Sequence, residues 1–141
     1  MGEVDRVGNT ISIPSSPDFI ATVDEFLEGW LRQKQVPEDS IADLAIAVTE
    51  LVNNAIKHGN KNDNRKKVTV LLSFGNGEAR AVISDEGKGF DPDIIPNPVA
   101  EENLLKEIGR GIFIVKSLMD DVKFSFSPGR GTSVAIVKKI N

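Results

Sequence analysis

The sequence predicts an α+β fold, a two-layer sandwich in which helices cover one face of a mixed, mostly antiparallel sheet. Two amphipathic helical segments follow each other in the first half of the chain, and strand pairs joined by short glycine turns occupy much of the second half. Strands joined by such turns pair antiparallel, and the helices bury their apolar stripes against the sheet. With 141 residues, 40% of them hydrophobic, we expect one domain over residues 1–141.

The first half of the chain is expected to hold one short strand and two helices. Polar and apolar residues alternate over residues 10–13, which predicts a strand. Two serines followed by Pro17 begin the first helix, predicted over residues 17–35, and Pro37 begins the second. Apolar residues recur at helical spacing in both, and Gly59 is expected to end the second helix as its C′ glycine.

The second half is predicted to contain two hairpins separated by a long loop and a short helix. The turn Gly75-Asn76-Gly77 joins the first strand pair, because asparagine and glycine tolerate positive φ. Three prolines interrupt residues 87–109, so this stretch is predicted to be mostly irregular. The predicted strands occupy residues 68–74, 78–85, 122–126 and 132–139, and the predicted helix occupies residues 111–119.

Composition excludes several classes of function. The formal net charge of −4 argues against direct binding to nucleic acid, which needs a basic face. Cysteine is absent and His58 is the single histidine, so thiolate chemistry is excluded and a zinc site is disfavoured. No apolar run approaches the ~20 residues that cross a bilayer, and the N-terminus lacks a signal-peptide pattern. We therefore expect a cytoplasmic protein without a membrane partner.

The first chemical motif lies on the second predicted helix. Glu50 and Asn54 are four residues apart, so both side chains lie on one helix face. A solvated face explains such a pair, and so does a general base beside an oxygen ligand for Mg²⁺. The neighbouring Asn53 is turned about 100° away, so Asn54 is the preferred ligand.

The second motif follows the return strand of the first hairpin. Asp85 ends the apolar strand, and Gly87 and Gly89 follow it. A plain turn uses the same residue types. In a binding site, Asp85 would accept a hydrogen bond from the amino group of a base, and the glycines would let the backbone approach a flat ring.

Two further glycine motifs lie nearer the C-terminus. Gly109-Arg110-Gly111 leads into the short predicted helix, whose free N–H groups would attract phosphate, with Arg110 adding charge-assisted hydrogen bonds. The alternative is a flexible lid joined to its helix. Thr132 follows Gly131 and would place a hydroxyl near the base, or would belong to a turn between strands.

The order of these four motifs resembles the GHKL ATPase superfamily and its Bergerat nucleotide-binding fold. The four motifs occupy residues 50–54, 85–89, 109–111 and 131–132. A closer resemblance, to the anti-sigma factor serine kinases of the sporulation and general stress type, rests on the segments TELVNNAIKHG at 49–59 and LMDDV at 118–122. The size of the chain is also similar to that group.

The resemblance implies a role for each motif in binding ATP and Mg²⁺. Asn54 would hold Mg²⁺, and Glu50 would activate the hydroxyl of the substrate. The adenine would meet the second and fourth motifs through Asp85, Gly87, Gly89 and Thr132. The phosphates would meet the third motif through Gly109, Arg110 and Gly111, under a lid formed near residues 92–108.

The function implied by the resemblance is an ATP-dependent protein serine kinase and anti-sigma factor. It would sequester a sigma factor and phosphorylate a serine of an anti-sigma factor antagonist, a STAS-type protein. One alternative is a non-catalytic ATP-binding adaptor, against which Glu50 argues; another is a detached ATP domain of a histidine kinase. The aromatic residues Phe19, Phe26 and Trp30 belong either to the core or to a surface for sigma factor or a second copy in a homodimer.

Overall fold

The computed structural model describes residues 3–87, 98–127 and 131–140. The strands and α-helices in these residues are β1 Asp5–Val7, β2 Thr10–Pro14, α1 Ile20–Gln33, α2 Glu38–Asn54, β3 Lys67–Gly75, β4 Glu78–Ser84, α3 Pro98–Leu118, β5 Asp121–Ser127 and β6 Gly131–Lys139. A 3₁₀ helix, Pro17–Phe19, precedes α1, and a π-helical turn, Ala55–Gly59, follows α2.

The strands form one six-stranded sheet in the order β1-β2-β3-β4-β6-β5, with five antiparallel pairings. Side chains alternate across it: Ala79, Ala81 and Ile83 of β4 are buried, whereas the residues between them are partly exposed. The buried face packs against α1 and α2. The predicted two-layer α+β sandwich is therefore confirmed.

The strand β1 adds to the predicted pattern, which begins at residue 10. It forms a hairpin with β2 through Gly8 and Asn9, so that Val7 lies opposite Thr10. Gly8 has a φ of 60°, which favours glycine. A Gly-Asn pair is a hairpin signal, but all three residues of β1 are exposed, so no buried apolar residue marks the strand.

The turn between β3 and β4 has the predicted chemistry. Asn76 and Gly77 have φ values of 55° and 72°, and the flanking Gly75 and Glu78 pair across the hairpin. Two successive residues with positive φ are what a type I′ turn requires, and its twist matches that of the strands. This turn fixes the register that brings the end of β4 to the site described below.

The two N-terminal helices bury apolar stripes against the sheet. Ser16 caps the 3₁₀ helix, its Oγ accepting from the Asp18 N–H at 3.3 Å. The stripe of α2 consists of Ile41, Leu44, Ala47, Val48, Leu51 and Val52. Phe19, Phe26 and Trp30 are partly buried against this core, which favours their core interpretation over a free surface.

The helix α3 is longer than predicted. It runs from Pro98 to Leu118, so residues 98–109, expected to be irregular, are helical. Proline at the first position loses no intrahelical hydrogen bond. Burial of Ile108 and Val115 offsets the low helix propensity of the two internal glycines, about 1 kcal/mol each. Residues 88–97 of the predicted loop lie outside the described residues. Among the described helices, none has the length and apolar character to cross a membrane.

Candidate functional site

Asp85 lies directly after β4, beside the first residues of β6. Its Oδ1 accepts hydrogen bonds from the backbone N–H groups of Gly87 at 3.0 Å and Thr132 at 3.2 Å. The Asp85 N–H donates to the Thr132 carbonyl at 2.9 Å and continues the β4–β6 pairing. Both bonds to the side chain end on Oδ1, and within the described part of the chain Oδ2 accepts none. One carboxylate oxygen therefore remains for a ligand.

Three glycines surround Asp85 where side chains would not fit. A Cβ on Gly59 would lie 2.3 Å from Asp85 Oδ2, and a Cβ on Gly131 would lie 2.1 Å from the Asp85 carbonyl oxygen. A Cβ on Gly87 would lie 1.8 Å from the Gly59 carbonyl oxygen. These distances are far shorter than van der Waals contact, so bare backbone forms the walls of the site. The three glycines therefore allow the segments around Asp85 to pack this closely.

The surroundings of Asp85 change its acidity. Burial raises the pKa of the Asp85 carboxyl above its ordinary value, against the lowering effect of the N–H groups of Gly87 and Thr132. The Asp85 carboxylate is thus a hydrogen-bond acceptor that is partly shielded from water and held by the N–H groups of Gly87 and Thr132. A hydrogen bond to such an acceptor is stronger than one to a solvated carboxylate.

Thr132 supplies a second polar group to the site. Its Oγ1 is buried and, among the described residues, has no hydrogen-bond partner. Buried hydroxyls are normally paired, so this oxygen beside Asp85 is available to a ligand or a ligand-bound water. The Asp85 acceptor, the glycine walls and the Thr132 hydroxyl together fit the adenine of ATP, a flat ring that carries an amino donor.

Glu50 and Asn54 form a second group of polar side chains at the C-terminal end of α2. Both are half-buried, and a Cβ on Gly111 of α3 would lie 3.0 Å from Glu50 Oε2 and 3.5 Å from Asn54 Nδ2. The structure therefore brings Glu50, Asn54 and Gly111 together. A simple solvated helix face does not describe this pair, because α3 lies against it.

A π-helical turn connects the two groups. The Asn60 N–H donates to the Ala55 carbonyl at 2.8 Å, the i→i+5 spacing of a π turn. The turn leads from Asn54, the last residue of α2, to Gly59 against Asp85. Five residues at the α-helical rise of about 1.5 Å separate Asn54 from Gly59 by about 7.5 Å along the helix axis. The carboxylate that would hold a base and the side chains that would face phosphates thus lie at one end of α2.

Gly59 differs from its predicted role. It is not a C′ residue with positive φ; the positive values, 53° and 58°, occur at Lys61 and Asn62. The π turn moves the end of the helical segment beyond Gly59. Its lack of a side chain instead allows the close contact with Asp85.

The third predicted motif is placed differently from expectation. Gly109 and Gly111 lie inside α3, so the predicted helix start at this motif is wrong. Inside a helix each N–H donates to the carbonyl four residues earlier and is not free for phosphate. Gly111 is buried, whereas Gly109 and Arg110 are exposed and line an open cavity of about 530 Å³ with Phe113 and Ile114. Neither Asp85 nor Asn54 lines that cavity.

The remaining predicted site residue, Gly89, lies outside the described residues. Two residues join the site without having been predicted for it, Gly59 and Asn60. Asn60 is 1% exposed, and its Oδ1 accepts from the Glu86 N–H at 2.8 Å. In the sequence it begins a polar stretch that resembles a solvated loop, so no local pattern marks its burial.

Comparison with known proteins gives the same assignment as the motifs. The family model of the histidine kinase-like ATPase domain matches residues 13–138. The serine-protein kinase RsbW of Listeria monocytogenes serotype 4a (strain HCC23) is 31% identical over 138 residues, which cover 94% of this chain and 87% of that protein. The serine-protein kinase RsbW of Bacillus subtilis (strain 168) is 28% identical over 137 residues, with 93% and 84% covered.

A solved structure supports the fold. The crystal structure of the RsbU and RsbW domains of a Mycobacterium tuberculosis protein aligns with a TM-score of 0.69 at 21% identity. The alignment covers 92% of this chain and 31% of that longer one. The family match also confirms the resemblance indicated by the order of the four motifs. The chain therefore belongs to the histidine kinase-like ATPase domain family, together with the RsbW serine-protein kinases.

Proposed function

We propose that this chain is an ATP-dependent protein serine kinase that also sequesters a sigma factor. Its protein substrate is an anti-sigma factor antagonist of the STAS type, phosphorylated on serine. The observation that carries the proposal is the placement of the Asp85 site and the Glu50–Asn54 pair at one end of α2. Relatives named serine-protein kinase RsbW support the class of acceptor.

The adenine of ATP binds at Asp85 in this proposal. Asp85 Oδ2 accepts from the adenine amino group, while Oδ1 stays fixed by the N–H groups of Gly87 and Thr132. The Thr132 hydroxyl, which is buried and has no hydrogen-bond partner in the described part of the chain, bonds to the base directly or through a water. Gly59 and Gly87 lie beside Asp85, where the ring binds.

Phosphoryl transfer takes place beside Glu50 and Asn54. Mg²⁺ bound with ATP neutralises charge on the transferring group, and the Asn54 amide oxygen suits the hard oxygen ligands that this ion prefers. Glu50 lies one helical turn before Asn54, within reach of the same phosphates. As the serine oxygen bonds to the γ-phosphorus and the bond to the β-γ bridging oxygen breaks, Glu50 accepts the serine proton and ADP leaves.

Asn54→Ala should abolish Mg²⁺-dependent nucleotide binding or turnover, because the ion would be held only by phosphates and water. Asn53→Ala is the matched control: the same amide is removed one residue away, about 100° around the helix. Titration calorimetry of an ATP analogue with and without Mg²⁺ measures the effect. Equal defects in both variants, or no defect in Asn54→Ala, would show that the wrong asparagine is assigned.

Nucleotide binding should change the amide exchange of α3. Contact of the Gly109, Arg110 and Gly111 amides with phosphates requires the turns before them to open, since these N–H groups are inside the helix. Hydrogen exchange with and without an ATP analogue should therefore differ across residues 98–111. Exchange that is identical in both states would remove the phosphate role of this motif.

The kinase proposal is tested by transfer of label from γ-labelled ATP to a co-expressed or neighbouring-gene antagonist. The expected product is an acid-stable phosphoserine on the antagonist. Acid-labile label on a histidine would favour an ATP domain detached from a histidine kinase. Nucleotide-dependent capture of sigma factor without any transfer would favour the non-catalytic adaptor.

A further inference from the structure

We infer that Asn60 is a positioning residue that holds Asp85 in place and thereby sets the preference of this site for adenine. The inference rests on the proposed binding of adenine by Asp85. Asn60 and Ser15 are the two polar residues in the described part of the chain that are fully buried, each 1% exposed. Nothing in the proposed chemistry uses Asn60 directly.

The side-chain amide of Asn60 forms hydrogen bonds with three different segments of the chain. Its Nδ2 donates to Ser15 Oγ at 2.8 Å, just after β2, and to the Lys67 carbonyl at 3.0 Å, at the start of β3. Its Oδ1 accepts from the Glu86 N–H at 2.8 Å. A single amide thus connects the turn after α2, the two strands and the segment that carries Asp85.

The hydrogen bond from the Glu86 N–H to Asn60 lies directly beside Asp85. Glu86 lies between Asp85 and Gly87, and these are the residues packed against Gly59, the immediate neighbour of Asn60. A second bond, from the Lys67 N–H to the Glu86 carboxylate, holds the same segment to the start of β3. Asn60 therefore fixes the distance between Gly59 and Asp85. The two are so close that even a Cβ on Gly59 would overlap the Asp85 carboxylate.

Ser15 offers a matched control because it is bonded to the amide nitrogen of Asn60, whereas Glu86 is bonded to the amide oxygen. Its Oγ donates to the Lys66 carbonyl at 2.7 Å and accepts from Asn60, and among the described residues it forms no hydrogen bond to Asp85, Glu86 or Gly87. Ser15→Ala therefore weakens the buried network while leaving the Asn60–Glu86 bond in place. A purely structural role predicts that Ser15→Ala and Asn60→Ala behave alike.

The experiment compares dissociation constants for ATP and for purine riboside triphosphate, which lacks the 6-amino group, alongside unfolding free energies. Wild type should prefer ATP by about ten- to a hundredfold, the effect of one hydrogen bond to a carboxylate. Asn60→Ala should reduce that preference to within about threefold of equality. Ser15→Ala should lower the unfolding free energy but retain the preference for ATP. An unchanged preference in Asn60→Ala would overturn the inference.

Two further variants decide the matter if Asn60→Ala does not fold. Asn60→Asp keeps an oxygen for the Glu86 N–H and should retain the preference, whereas Asn60→Gln displaces that segment by one methylene and should reduce it. Equal preference in the two would contradict a positioning role. If wild type itself shows no preference for ATP, the assignment of adenine to Asp85 fails, and with it the proposed binding mode.

Discussion

Replacing Glu50 with alanine should leave ATP bound and reduce phosphoryl transfer to the antagonist serine by about 10²–10⁴-fold, the usual contribution of a general base. Nucleotide affinity rests on Asp85, the surrounding glycines and Asn54, which the change leaves in place. Glu50→Gln is the sharper variant, because it keeps the shape that lies against Gly111 and removes only the base. Transfer is measured by label incorporation and binding by calorimetry.

The control for Glu50 is Glu25→Ala, which removes a carboxylate from an exposed position on α1. It should leave both binding and transfer unchanged. Transfer at the wild-type rate in Glu50→Gln would mean that another group accepts the proton. Loss of binding together with transfer would mean that Glu50 is mainly structural at the contact between α2 and α3.

Asp85→Asn should weaken ATP binding by about ten- to a hundredfold. The carboxylate Oδ2 can only accept a hydrogen bond, whereas an amide held by the Gly87 and Thr132 N–H groups through its oxygen turns its NH₂ toward the base amino group. Two donors then face each other. Calorimetry of both proteins with ATP measures the difference, and equal affinities would show that Asp85 does not hold the base.

The raised pKa of Asp85 adds a dependence on pH. Protonation removes the acceptor, so wild-type ATP affinity should fall as the pH is lowered through that raised value, at a higher pH than for an ordinary aspartate. Asp85→Asn should lack this fall.

The unfolding free energy should depend on pH with the opposite sign. A carboxyl with a raised folded-state pKa stabilises the fold at low pH and loses that contribution as the pH rises through the folded pKa. Asp85→Asn is therefore not expected to destabilise the protein at neutral pH.

Most of the fold follows from local patterns in the sequence. The strands β3, β4, β5 and β6 lie within one residue of their predicted bounds, because alternation and turn residues agree there. The helix α3 is longer than predicted because the local preferences of glycine and proline do not include the effect of tertiary burial. Ile108 and Val115 are buried, and this burial outweighs the helix propensity of two glycines.

The residue types of the candidate site can be predicted from the sequence, but their arrangement in space cannot. Glu50 and Asn54 are neighbours by helical spacing, so their proximity follows from the sequence. That Gly59 lies against Asp85 does not, because it depends on a π turn and on contacts between segments 26 residues apart, such as the Asn60–Glu86 bond. Nor does local spacing show that Gly111 faces Glu50, since this depends on how α3 lies on α2.

A crystal structure with a non-hydrolysable ATP analogue and Mg²⁺ would show whether Asp85 holds the adenine and Asn54 holds the ion. It should place the adenine amino group about 2.7–3.2 Å from Asp85 Oδ2, and Mg²⁺ about 2.0–2.1 Å from the Asn54 amide oxygen. The γ-phosphate should then lie beside Glu50. A nucleotide bound instead in the open cavity beside Arg110 and Phe113, with its base away from Asp85, would contradict the assignment of adenine to Asp85.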